Sequence, residues 1–160
     1  MADDQIMPVL GFDLGGVTSK GRLVAVAIKF GVAGGNELMT VWDQPQLESL
    51  LSVAFEQARQ YFDDRVSEIH EIARRVERSV VLSRPDLLRS ELTDPSGSAR
   101  VCTIDVKFGP ELLLMGLTFP CGMKRSVTMS GAHCLLLYVY ATKVVTEHAL
   151  GIPTHVLVTH

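Results

Sequence analysis

The sequence predicts an α+β protein of two similar β-β-β-α halves, a mainly antiparallel sheet with the helices on one face and a pseudo-twofold relation between the halves. Three observations lead there. Short apolar runs separated by turn residues open each half. Each set of runs gives way to a longer segment that reads as helix. The opening pattern then returns after a turn cluster, Thr93-Asp94-Pro95-Ser96-Gly97-Ser98.

In the first half, residues 8–14 read as a strand, 15–21 as a turn and 23–30 as a second strand, apolar on both faces. Residues 31–36 form a glycine turn and 37–41 a short third strand, which together make an antiparallel meander. The period then changes. Leu47, Leu50, Leu51, Ala54, Ala58, Tyr61 and Phe62, continued by Val66, Ile69, Ala73 and Val76, follow the spacing of an amphipathic helix. Asp43 is placed as N-cap, with Gln46 completing a capping box and Pro45 in the tolerant first turn. Trp42 and Leu47 hold the hydrophobic-staple positions. Unbroken, a helix over 44–76 is about 45–50 Å long at 1.5 Å per residue, whereas a domain of this size is roughly 30 Å across. The helix therefore either breaks near Asp63-Asp64 or projects with an apolar stripe that needs a partner.

Residues 79–82 read as a short strand and 84–92 as a short helix. The turn at 93–98 joins the halves, 1–92 and 99–160, of a single domain spanning 1–160. In the second half, strands are expected over 101–107, 112–119 and 125–129. Ser130 then caps an apolar helix over 133–150, stopped by Gly151 and Pro153. Residues 155–159 read as a last edge strand. Asp13 matches Asp105, Phe30 matches Phe119, Thr40 matches Thr128 and Leu47 matches Leu135, which suggests a duplicated unit.

The 160 residues suffice for a core without metals or disulfides. With 47% apolar and 21% charged residues the chain is not a disordered one. A net charge of −3 is too acidic for a nonspecific grip on nucleic acid. Cys102, Cys121 and Cys134 are odd in number, lack CxxC spacing and have apolar neighbours. They read as free, buried thiols of a cytoplasmic protein. Residues 1–5 carry two acids and no basic run, so they do not read as a signal peptide. The apolar run 134–145 is too short to span a bilayer and contains Lys143.

Two resemblances follow from particular residues. Gly11-Phe12-Asp13-Leu14-Gly15-Gly16-Val17-Thr18-Ser19-Lys20 resembles the first phosphate loop of the sugar-kinase, Hsp70 and actin superfamily. It implies a nucleotide or phosphate held by Gly15, Gly16, Thr18 and Lys20, although the second glycine loop and the adenosine site of that superfamily have no counterpart here. Residues 8–13, the hairpin to Leu23, the strand through Thr40 and the helix from Gln46 are similar to the small enterobacterial biofilm-regulator family BssS. That family has about half the length of this chain and no enzymatic activity to carry over, so the resemblance implies a small regulatory or phage-linked binding protein.

The remaining polar residues have plain structural readings. His70, His133, His148, His155 and His160 show no metal-ligand spacing. The Ser130, His133 and Cys134 group reads first as a helix cap beside a buried thiol, and only second as a nucleophile. Arg74, Arg75 and Arg78 read as a solvated basic helix end.

No catalytic set, metal site or cofactor is legible. The chain is expected to be a non-catalytic module that binds a protein, as a homodimer or a stable hetero-complex, with Trp42, Tyr61, Phe62 and Ile69 at the interface. A narrower form of this expectation is a mobile-element protein that acts on a host complex. Phosphate binding through Gly15, Gly16, Thr18 and Lys20 is the alternative.

Overall fold

The computed structural model describes residues 6–19, 22–61, 71, 99–149 and 155–158. The strands β1 (Ile6–Ser19), β2 (Arg22–Val32) and β3 (Glu37–Trp42) lead into helix α1 (Gln44–Tyr61). The strands β4 (Thr103–Phe108), β5 (Leu112–Thr118) and β6 (Lys124–Ser130) lead into helix α2 (Gly131–Ala149), and β7 (His155–Val158) follows. The fold is α+β, as the sequence predicts.

The described strands form one seven-stranded sheet. Six run in the order β3-β2-β1-β6-β5-β4, and β7 pairs with β1. Neighbours are antiparallel except β1 and β6, which run parallel where Ile6, Met7 and Pro8 face Ser126, Val127 and Thr128. Further along the same strand, Phe12 to Gly15 pair with β7. The β-β-β-α succession recurs along the chain. β1 runs parallel to β6 at Ile6 to Pro8, and Arg100, just before the matched strand β4, pairs in parallel with Val41 of β3, the match of β6.

One apolar core lies between the sheet and the two helices. From β2 it takes Val26, Ile28, Phe30 and Val32, from β5 Leu113, Met115 and Leu117, from α1 Leu47, Leu50, Ala54 and Ala58, and from α2 Leu135, Leu137, Tyr140 and Val144. The alternation of β5 and the three-four spacing of α1 are the cause, since each directs one face inward. Phe12 and Phe30 meet edge to face at 6.4 Å. The opposite face of β2 also buries Ala25 and Ala27, against Val41, Val17, Met39 and Ala99. This second small cluster is why β2 is apolar on both faces.

The first turn is narrower than the sequence suggests. β1 runs through Ser19, and Gly15 and Gly16 stand opposite Ala27 and Val26 within the hairpin. In the β2–β3 connection, Gly34 and Gly35 both have positive φ, which glycine adopts without strain. The extension of the long helix beyond Tyr61, together with the expected strand at 79–82, helix at 84–92 and turn at 93–98, lies outside the described residues.

The start of α1 is clasped to the start of the second unit. Asp43 precedes the helix, but its carboxylate accepts two bonds from Arg100 Nη1, at 2.7 and 2.9 Å. Gln46 Nε2 donates to the Cys102 carbonyl at 3.3 Å. The two capping-box side chains thus hold residues 100–102, and Val41 pairs in parallel with Arg100.

Candidate functional site

Helices α1 and α2 pack antiparallel, and their seam carries the exposed aromatic residues of the helix layer. At one end Tyr61, 44% exposed, lies over Gly131, the first residue of α2. Midway, Phe55 packs against Tyr138 with ring centroids 5.0 Å apart and is 42% exposed. At the other end a groove of about 590 Å³ lies between α1, α2 and the start of β2. Trp42, Leu47, Leu51, Val26 and Val145 give it an apolar lining, Val24 stands half-exposed in its wall, and Arg22, Glu48 and Thr142 add polar groups.

Of the four interface residues the sequence proposes, Tyr61 is exposed on this surface, and Trp42 lies beneath its groove as a core residue rather than an exposed anchor. It is fully buried, and its indole Nε1 donates to Thr40 Oγ1 at 2.8 Å. Thr40 Oγ1 in turn donates to the Ile28 carbonyl at 2.6 Å. A large aromatic side chain at a strand end looks alike in sequence whether it anchors a partner or closes a core. Phe62 and Ile69 lie outside the described residues. Phe55 and Tyr138 were not singled out from sequence, because at helical spacing each reads as one more core position.

Gly15 and Gly16 form no phosphate cradle. Such a cradle needs a loop whose backbone amides converge on one point, and both glycines are in extended pairing with β2. Thr18 pairs with Leu23 near the end of the hairpin, and Lys20 lies outside the described residues. On the sheet face away from the helices, Lys29 Nζ lies between Asp13 Oδ2 at 4.0 Å and Glu37 Oε2 at 3.5 Å.

Ser130 is the cap the sequence predicts. Its Oγ accepts from the His133 backbone N–H at 3.1 Å and lies 3.2 Å from His133 Nδ1. Burial pushes the Cys134 thiol up to about 12, so it is protonated at neutral pH and acts as a core group rather than a nucleophile. Cys102 and Cys121 are exposed, against the expectation of burial. One precedes an edge strand and the other stands in the β5–β6 turn, where apolar neighbours in sequence do not imply burial. Among the described residues no three His, Cys, Asp or Glu side chains gather as metal ligands. Among them, too, no helix is long and apolar enough to cross a membrane.

No protein-family model matches the chain, and no curated protein or solved structure is significantly similar to it.

Proposed function

We propose that this chain is a non-catalytic regulatory module that takes a partner protein on the α1–α2 seam. The observation that carries the reading is the continuity of Tyr61, Phe55 and Tyr138 with the apolar groove beside Val24. Partly exposed aromatic residues beside a preformed apolar groove are the features that concentrate binding energy in protein interfaces. The fitting partner is an amphipathic protein segment that lays apolar side chains into the groove and meets Arg22 and Glu48 with its polar groups. The small size and the mildly acidic pI near 5.9 suit a mobile-element protein that acts on a host complex in the cytoplasm.

The test is a pull-down from the native host with the wild-type chain and with a Val24→Asp, Phe55→Ala variant. Both positions are exposed, so the fold tolerates the changes. The reading requires a discrete protein retained in near-stoichiometric amount by the wild type and lost with the variant. Equal retention by both chains, or by neither, overturns it.

A further inference from the structure

We infer that the groove at the α1–α2 seam takes an aromatic side chain of the partner, with its ring set between Leu51 and Thr142. This rests on the helix-seam reading and deepens it by naming the chemistry of the group that enters.

The two units build one frame with different side chains. Val26 and Ile28 of β2 face Trp42 and Thr40 of β3, as Leu113 and Met115 of β5 face Met129 and Val127 of β6. All eight are buried. Pro8 pairs in parallel with Thr128, as Arg100 pairs in parallel with Val41. This register moves the match read from sequence by one residue, so that Thr40 corresponds to Val127. Each helix then starts two residues after a corresponding strand residue, α1 at Gln44 after Trp42 and α2 at Gly131 after Met129. Leu51 and Tyr138 are therefore the eighth residues of their helices, and Phe55 and Thr142 the twelfth. Burial follows the same correspondence. Leu51 and Tyr138 are both half-buried, and Phe55 and Thr142 are both exposed.

The corresponding places on the seam are furnished differently. At one, Phe55 of α1 meets Tyr138 of α2 with ring centroids 5.0 Å apart. At the other the same positions hold Thr142 of α2 and Leu51 of α1, and both line the groove of about 590 Å³. A threonine side chain ends where the phenylalanine ring begins, and leucine carries no ring at all. Two rings that meet across the seam at one place thus have no counterpart at the other. Beneath the groove Trp42 stands where the second unit has Met129. The group that completes this place by the same chemistry is an aromatic ring, which gains from ring contact beyond its buried area. Aromatic anchors are also the groups that most often fill such pockets in protein interfaces. Arg22 and Glu48 bring one cation and one anion to the lining, so the complementary segment carries an acid and a base beside its aromatic residue.

The test titrates the isotope-labelled full chain with N-acetyl-phenylalaninamide, and with N-acetyl-leucinamide as the aliphatic control, while backbone amide resonances are followed. At millimolar concentration the aromatic probe is expected to shift Val24, Val26, Leu51 and Thr142, and to bind about threefold or more tighter than the leucine amide. Leu112 and Leu113, at the start of β5, should stay unmoved. Thr142→Phe supplies the ring that Phe55 supplies at the other place and is expected to abolish binding. Leu51→Tyr is the second filling variant, and Thr142→Ala should keep the probe. Native amide dispersion verifies the fold of each. Absence of shifts, as from a groove taken by the chain itself or by a second copy, overturns the inference. So does equal affinity for the two probes, or undiminished binding by both filling variants. In the pull-down, a protein retained by Thr142→Phe but lost with the Val24→Asp, Phe55→Ala variant overturns the aromatic assignment and leaves the seam reading standing. A chain that binds the aromatic probe but retains no protein overturns the seam reading alone.

Discussion

Gly131 and Tyr61 share one site: the Tyr61 ring occupies the space where a Cβ on Gly131 would stand. The close crossing of α1 over the start of α2 depends on that missing side chain, because Gly131 does not have a positive φ that would itself demand glycine. Gly131→Ala is expected to destabilise the protein by about 1–3 kcal/mol, the usual cost of overpacking. Adding Tyr61→Gly, which removes both the Tyr61 Cβ and the ring that the new methyl meets, should return much of that loss. Urea denaturation of the four chains of this cycle measures the coupling, and additive effects would show that the contact carries no energy.

Thr40 supports Trp42 from the adjacent position on the same face of β3. Its hydroxyl accepts a hydrogen bond from the indole N–H and donates one to the Ile28 carbonyl. Thr40→Val keeps the shape but leaves a buried indole donor without its acceptor. A loss of about 1–3 kcal/mol is expected, while Thr40→Ser should retain most of the stability. Trp42 is the only tryptophan in the sequence, so its fluorescence follows unfolding directly. Equal stability of Thr40→Val and the wild type would show that the hydroxyl bridge carries no energy.

The buried thiol of Cys134 links stability to alkaline pH. Its pKa rises from an ordinary 9.0 to about 12 because burial disfavours the thiolate. The folded state then holds the proton more tightly than the unfolded state. The resulting stabilisation is complete below pH 9 and is lost as pH rises toward 12, by at most about 1.4 kcal/mol per pH unit. Cys134→Ala should be less stable at neutral pH yet show a flatter alkaline decline. In native protein a thiol reagent should modify Cys102 and Cys121 rapidly and Cys134 only on unfolding. Fast labelling of all three would contradict the burial.

Much of the fold was legible because local signals carry it. The β4-β5-β6 meander, the Ser130 cap and the α2 helix all follow from alternation, turn residues and capping chemistry, each readable over a few positions. The first turn was misplaced because Gly15 and Gly16 look like a turn from composition, whereas pairing on both edges of β1 keeps Gly15 extended. The neighbourhood of β1 and β6 had no local signal, since Ile6 meets Ser126 only through the tertiary fold. The parallel pairing of Val41 with Arg100 likewise joins residues far apart in the chain and left no local mark. The candidate surface was half legible. Tyr61 was found by its helical position, but exposure separates Phe55 from Leu50, and only packing decides exposure.

The placement of β1 has a consequence for how the protein is made. Translation delivers β1 ahead of the other described strands, yet one of its edges is completed only by β6 and β7, the last of them in chain order. Until those segments emerge from the ribosome, an apolar strand with an unsatisfied edge is held open beside the nascent chain. Early collapse of the first unit cannot close it, and such pairings between distant segments form slowly. The growing polypeptide thus has a long window of vulnerability to wrong partners, and holdase chaperones acting on nascent chains should raise its yield most during that interval.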